Sequence, residues 1–159
     1  KNEIYYWYKI KKTAEIIKYE ESEEKSFEYI NNKFNELKKP SLKILYEMGN
    51  LSKNFKKYNL AIKYYTKVLS KLDPESEIYA NILYRRGGSY ERLGNKNKSD
   101  KDLLKSLKIK PDEPHVLNYL AYSWLERNYN IDSAILETIS VTNALPMKNA
   151  LLPSDANSV

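Results

Sequence analysis

The chain of 159 residues contains no cysteine, and this absence excludes several kinds of site at once. Without thiols there is no disulfide, no thiolate nucleophile and no cysteine-ligated metal. His115 is the only histidine, so it has no second imidazole for a metal ion, and no serine partner for it is evident. We expect His115 to face solvent near the start of a helix.

Glycine is also scarce, with four in the chain, and no phosphate-binding loop is expected. The spacing of Gly87, Gly88 and Gly94 fits neither G-x-x-x-x-G-K nor G-x-G-x-x-G, and the first two lie inside a predicted helix. No uninterrupted run of about eighteen apolar residues encodes a membrane span, and no secretory signal is visible. No carboxylate pair has the arrangement of a catalytic dyad. We therefore expect a soluble protein without enzymatic activity, and cytoplasm and periplasm both remain open.

The charge is positive, with a formal net charge of +6 and a pI near 9.2, and lysine dominates arginine by 23 to 4. A basic chain raises the alternative of nucleic-acid binding. However, the chain is also rich in Asn, Ile and Tyr, which an AT-rich genome over-supplies together with lysine. Lys101, Lys105 and Lys108 recur at helical spacing opposite Leu103 and Leu107, which is typical of a solvated outer face.

Four prolines divide the chain into nearly equal lengths of 34, 37 and 35 residues. Each of the three intervals, and also the stretch before the first proline, contains two small residues twelve or thirteen positions apart. Small residues on two successive helices allow their axes to approach closely, and a proline then ends the second helix. The prolines are Pro40, Pro74, Pro111 and Pro146, and the small pairs are Ala14 with Ser26, Gly49 with Ala61, Gly87 with Ser99, and Ala121 with Ala134.

At these positions the chain resembles the tetratricopeptide repeat (TPR), whose pattern is W-x2-L-G-x2-Y, then A-x3-F, then P. Two positions depart from the pattern: Ser52 stands where an aromatic residue is expected, and Arg86 where leucine is expected. The stretch Val116 to Leu125 is similar to long bacterial TPR proteins. The matching residues are Leu45, Met48, Gly49, Ser52, Ala61, Tyr65 and Pro74, then Leu83, Arg86, Gly87, Tyr90, Ser99, Leu103 and Pro111, then Leu117, Leu120, Ala121, Trp124, Ala134, Thr138 and Pro146.

The resemblance implies an all-α fold, a right-handed α-solenoid of stacked antiparallel helix pairs. A degenerate repeat at about 1–41 and three clear repeats at about 42–79, 80–113 and 114–146 make one domain over 1–146. Residues 147–159 are expected to be a tail that either caps the last helix or frays. The chain begins at Lys1 and not at methionine, so we expect a piece of a longer protein. Helices are predicted at 3–19, 22–38, 42–55, 58–72, 76–93, 97–109, 113–127 and 131–144.

The resemblance also implies that the first helix of each pair lines a concave groove for an extended or helical peptide. We therefore predict a protein-interaction scaffold that binds a protein or peptide partner and needs no cofactor or metal. Asparagine can pair with a peptide backbone, and tyrosine offers a rigid ring with a polar tip. The predicted partner-binding residues are Tyr46, Asn50, Lys53, Tyr84, Arg92, Asn118 and Tyr122.

Some TPR domains clamp a C-terminal carboxylate with two lysines, two asparagines and an arginine. Asn50 agrees with that set, but Tyr46 stands at the place of the first lysine, and His115 and Tyr119 stand where a lysine and an arginine are needed. We therefore expect no such clamp. Two alternatives remain open beside the scaffold: a basic helical repeat that binds nucleic acid, and a module that self-associates through exposed end helices.

Overall fold

The computed structural model describes residues 3–127, and within that range it consists of seven α-helices joined by short turns, with no strand. The all-α prediction and the order of the helices are confirmed for this part of the chain. The predicted helix over 131–144 and the tail 147–159 lie outside the described residues. The helices are α1 (Glu3–Glu20), α2 (Glu23–Asn35), α3 (Leu42–Asn54), α4 (Tyr58–Leu69), α5 (Glu77–Arg92), α6 (Lys96–Ile109) and α7 (Pro114–Leu125).

The helices pack as consecutive pairs, α1 with α2, α3 with α4 and α5 with α6, while α4 also packs on α5 and α6 on α7. The core is accordingly a row of clusters and not a single central one. Trp7, Phe34 and Met48 belong to the first cluster, Tyr65 and Leu83 to the second, and Leu103 with Leu120 to the third. This is the arrangement of a helical repeat solenoid, in which each pair contacts only its neighbours.

Small residues lie where paired helices approach most closely, as the spacing predicts. Gly49 on α3 faces the ring of Tyr65 on α4, where an added Cβ would meet Cε1 at 2.8 Å. Gly87 on α5 faces Leu103 on α6, where a Cβ would meet Cγ at 3.0 Å. In the first pair, the Ser26 hydroxyl donates to the carbonyl of Ala14 at 2.7 Å. Ala121 is exposed, and its predicted partner Ala134 lies outside the described residues.

The turns after α3 and α5 share one backbone conformation. Gly94 follows the end of α5 with φ of +73°, the left-handed conformation in which glycine commonly ends a helix. Lys56 holds the equivalent position after α3 and has φ of 58°, a left-handed conformation that lysine rarely adopts. In both turns the next amide donates to a carbonyl five residues earlier, Lys57 to Ser52 at 2.8 Å and Asn95 to Tyr90 at 2.9 Å.

Two second helices are shorter than predicted. The predicted helix over 22–38 ends at Asn35, and the one over 58–72 ends at Leu69. After Leu69 the backbone closes tighter turns, in which Lys71 donates to Val68 at 3.0 Å and Leu72 to Leu69 at 3.4 Å. The residue before a proline disfavours helical geometry, so the chain leaves the helix before it reaches Pro74.

The outer surface follows the sequence pattern for α6, while α1 differs from it. Lys101, Lys105 and Lys108 are exposed, whereas Leu103 and Leu107 are buried beneath them. Ile4 stands three residues before the buried Trp7, on the same side of α1, yet it is 50% exposed at the start of that helix. Among residues 3–127, no helix combines the length and apolarity that crossing a membrane requires.

Both departures from the repeat pattern are accommodated inside the fold. Ser52 is fully buried, and this small side chain occupies the place of the aromatic ring. Arg86 forms a bidentate ion pair with Asp102 on α6, with Nε at 2.7 Å from Oδ2 and Nη2 at 2.8 Å from Oδ1. Burial alone would lower the pKa of Arg86, but the hydrogen bond and the charge of Asp102 outweigh it, so the pKa is raised.

Candidate functional site

The first helices of the pairs, α1, α3, α5 and α7, are joined by side chains at one equivalent position. Glu47, Arg85 and Tyr119 each stand two residues before the small residue of their helix, and each contacts the preceding first helix. Glu47 accepts hydrogen bonds from Trp7 Nε1 at 2.9 Å and Lys11 Nζ at 2.6 Å. The guanidinium of Arg85 lies 5.7 Å from the ring centroid of Tyr46, and Tyr119 donates to Glu91 at 2.9 Å. We call the surface formed by α3, α5 and α7 the first-helix face.

On α3, Tyr46 and Asn50 are both half-buried and both contact Tyr65 of α4. The ring centroids of Tyr46 and Tyr65 are 6.4 Å apart, and the Tyr65 hydroxyl donates to Asn50 Oδ1 at 2.8 Å. Burial raises the pKa of Tyr65 well above its ordinary value, so this hydroxyl stays protonated. The Asn50 oxygen therefore already accepts one bond, while its amide NH2 remains available as a donor.

Three cations lie together where α3 meets α5. Lys53 is half-buried, and its pKa is lowered by burial first and then by the charges of Arg85 and Arg92. Arg85 and Arg92 lie seven residues apart on α5, with Gly88 between them on the same stripe of the helix. We call Lys53, Arg85 and Arg92 the cationic cluster. Arg85 was not among the residues predicted from the sequence.

Where α5 meets α7, the face is closed by an aromatic contact and a bound carboxylate. The rings of Tyr84 and Tyr119 meet edge to face, with centroids 6.2 Å apart. Glu91 accepts from Tyr119 and from Lys96 Nζ, the latter at 2.5 Å. Burial alone would raise the pKa of Glu91, but the hydrogen bonds from Lys96 and Tyr119 outweigh it and hold the pKa below its ordinary value.

The two predicted residues on α7 stand apart from the others. Asn118 is exposed, and Tyr122 is exposed over 72% of its surface one turn further along the same helix. Arg92 is also open to solvent, since its side chain is 65% exposed. The structure thus brings Tyr46 and Asn50 together around Tyr65 and places Lys53 near Arg92, while Asn118 and Tyr122 lie one turn apart on α7.

A shallow cleft of about 330 Å³ lies between the starts of α3 and α5, and the sequence did not predict it. Tyr46 forms one wall, so the cleft is continuous with the predicted site. Most of its lining is apolar, and this includes Val68 of α4 and Leu72, which follows that helix. The lining residues are Leu42, Lys43, Tyr46, Val68, Leu72, Ile78, Asn81 and Ile82.

The arrangement offers recognition groups and no assembled reaction centre in the described part of the chain. His115 is exposed at the start of α7, as predicted. Gly87 and Gly88 lie inside α5, so they form no loop around a phosphate. Residues 3–127 contain no group of three His, Asp or Glu side chains placed to hold a metal ion.

Sequence reasoning missed Arg85 and Tyr119 as members of the face. Both stand at the same repeat position as Glu47, so the register alone relates them. This shared repeat position is visible in the sequence. The predicted binding residues, however, are those expected to line a groove, and positions that bridge two repeats are not among them.

An α-helical repeat protein is defined by stacked helix pairs with small residues where the helices cross. The described part of the chain has this arrangement, and the first-helix face runs along it. The tetratricopeptide repeat family model matches residues 42–74 and 80–113, which contain α3 with α4 and α5 with α6. Residues 42–74 and 80–113 are therefore tetratricopeptide repeats, as the sequence predicted. Tetratricopeptide repeats generally mediate protein–protein interactions. No curated protein matches the chain.

Proposed function

We propose that this chain is a non-enzymatic scaffold that binds a peptide or partner protein along the first-helix face. The observation that carries the proposal is the set of contacts made by Arg85 and Tyr119, because these contacts join α3, α5 and α7 into one surface. That surface presents aromatic, amide and cationic groups side by side. Such a combination suits a peptide, because amides can pair with its backbone while aromatic and cationic groups contact its apolar and acidic side chains.

The predicted residues would make different kinds of contact with a bound peptide. Tyr46 and Tyr84 are half-buried and held by other rings, so they offer rigid area at little cost in side-chain entropy. Asn118 is exposed and can pair with both the N–H and the C=O of a peptide. Asn50 acts as a donor through its NH2 group, since its oxygen is bound to Tyr65.

The expected affinity is modest, with a Kd of roughly micromolar, or about −8 kcal/mol. A flexible peptide loses conformational freedom when it is laid along a surface, and this cost offsets part of the contact energy. A single tyrosine anchor should contribute about 1–2 kcal/mol of the binding free energy.

The test is to immobilise the protein, recover partners from a lysate of the source organism, and titrate the purified partner against variants. Tyr122→Ala is the informative variant, because its side chain is 72% exposed and its loss should leave the fold intact. Lys101→Ala on the outer face of α6 is the matched control, since Lys101 is also exposed. We expect Tyr122→Ala to weaken binding about tenfold or more, and Lys101→Ala to leave it unchanged.

A partner that loses more affinity with Lys101→Ala than with Tyr122→Ala would lie on the outer face, and the proposed site would then be wrong. Lys105 is a poorer control, because its ammonium lies 5.0 Å from the ring centroid of Tyr79 and its removal disturbs a second residue.

A further inference from the structure

The cationic cluster differs from the other charged groups in how little of its charge is compensated. Arg86 forms a bidentate ion pair with Asp102, and Arg127 donates from Nη2 to both carboxylate oxygens of Asp100. Arg85, by contrast, has no carboxylate of residues 3–127 within ion-pair distance and rests on the ring of Tyr46. Arg92 has only a long contact of 3.9 Å to Glu91.

The equivalent side chains in the neighbouring repeats have polar partners of a kind that Arg85 lacks. Glu47 is held by Trp7 and Lys11, and Tyr119 is held by Glu91, so both reach a polar partner on the preceding helix. Arg85 also extends toward the preceding helix, but there it lies against the ring of Tyr46 and near a second cation, Lys53. Its guanidinium donors are therefore unmatched at the point where the geometry of the fold would place a partner.

Two of its three members, Lys53 and Arg85, are also partly withdrawn from water, which makes their charge costly, while Arg92 is exposed. Lys53 is half-buried, and the neighbouring arginines lower its pKa further after burial has done so. Clustered like charges in a partly buried place repel one another, and an anion brought among them would relieve that repulsion. The nearest carboxylate, Glu91, is already bound by Lys96 and Tyr119.

We propose that Lys53, Arg85 and Arg92 form an anchor for an acidic peptide segment of a partner protein, which binds through Asp or Glu side chains across α3 and α5. Gly88 contributes no side chain of its own between the two arginines, and the group nearest to its Cβ position is the Tyr119 hydroxyl at 3.7 Å. Tyr46 and the cleft beside it would take an apolar neighbour of the acidic residue. The proposal rests on the proposed function, since it names the chemistry of the ligand on the same face.

This anchor is distinct from a clamp for a C-terminal carboxylate. The residues at the clamp positions are Tyr46, His115 and Tyr119, and Tyr119 is bound to the carboxylate of Glu91. A chain terminus at that point would meet an anion, while the cationic cluster lies between α3 and α5. The ligand is therefore expected to bind through internal acidic side chains, whether or not its C-terminus is free.

The test uses two fluorescein-labelled peptides of about ten residues, which span ~33 Å when extended and so cross three helices packed about 10 Å apart. One alternates glutamate with alanine, and the other carries glutamine in place of every glutamate. Fluorescence anisotropy with the whole chain should give a Kd at least about tenfold lower for the acidic peptide. Equal binding of the two peptides would overturn the proposal.

Variants then locate the binding site. Arg85→Gln and Lys53→Gln remove one charge each at nearly constant size and should weaken the acidic peptide about tenfold, whereas Lys101→Gln on the outer face is the matched control. Circular dichroism melts establish that each variant is folded. An equal loss with Lys101→Gln would mean diffuse attraction to a basic protein, and the anchor would be wrong.

Other occupants give different results. An oligouridylate RNA of the same length that displaces the acidic peptide at lower concentration would assign the cluster to RNA. A dimer in light scattering that Arg85→Gln converts to a monomer would assign it to a second copy of the chain. If a partner recovered from lysate depends on Tyr122 and not on Arg85, the proposed function stands and this inference fails.

Discussion

At the scale of single residues, two glycines in equivalent helices have opposite roles. A Cβ on Gly49 would lie 2.8 Å from the ring of Tyr65, which is fully buried and held by its bond to Asn50. A Cβ on Gly88 would meet nothing closer than the Tyr119 hydroxyl at 3.7 Å. The first glycine is needed for packing, whereas the second is not.

We therefore expect Gly49→Ala to lower the free energy of unfolding by about 1–3 kcal/mol, because the ring must move. Gly88→Ala should raise it by about 0.5–1 kcal/mol, because alanine is the better helix former. Urea denaturation of both variants measures the two changes. A free energy of unfolding that is unchanged or higher in Gly49→Ala would contradict the packing role assigned to Gly49.

The ion pair of Arg86 and Asp102 replaces an apolar contact of the family pattern, and the side chains are only 17% and 7% exposed. Asp102→Ala would leave a buried guanidinium without its partner and should cost about 3 kcal/mol. The double variant Arg86→Leu with Asp102→Leu replaces the ion pair by an apolar contact. Its free energy of unfolding should lie within about 1 kcal/mol of the parent's value. Chemical denaturation compares the two, and an equal loss in both would show that the pair itself stabilises the fold.

At the scale of the elements, the turns after α3 and α5 share a conformation but not a residue. Lys56 has φ of 58° where the next repeat has Gly94 with φ of +73°. A left-handed conformation costs a residue with a Cβ about 1–2 kcal/mol, and glycine avoids this cost.

Lys56→Gly should therefore raise the free energy of unfolding by about 1 kcal/mol, and Gly94→Ala should lower it by a similar amount. The two substitutions test one conformation in two turns, so each is the control for the other. Thermal or urea melts suffice for the measurement. A loss of stability in Lys56→Gly would mean that the lysine side chain contributes more than its backbone strain removes.

At the scale of the whole molecule, the positive charge of residues 3–127 is spread over several surfaces. Lys101, Lys105 and Lys108 lie on the outer surface of α6, while Arg86 and Arg127 are occupied by aspartates. We expect binding to single-stranded RNA or duplex DNA to be weaker than about 10 μM at physiological salt. A mobility-shift assay at low and moderate salt measures it. Micromolar affinity that falls steeply with salt would favour the nucleic-acid alternative.

The sequence by itself determined the order of the helices and the register of the repeats. The prolines, the small residues twelve positions apart and Gly94 act locally or between adjacent helices, so their effects are visible as spacing. The predicted helix over 42–55 ends at Asn54, and the prediction for 97–109 agrees with α6 from Lys96 to Ile109.

Only the tertiary structure decided which long side chains meet. Arg86 pairs with Asp102, sixteen residues away, and Arg85 lies against Tyr46 of the preceding repeat and beside Lys53. Lysine and arginine side chains have several rotatable bonds, and their partners depend on distances across the stack that no periodicity encodes. The sequence therefore predicted the face for a partner, while the uncompensated cations within it became visible only when the repeats were stacked.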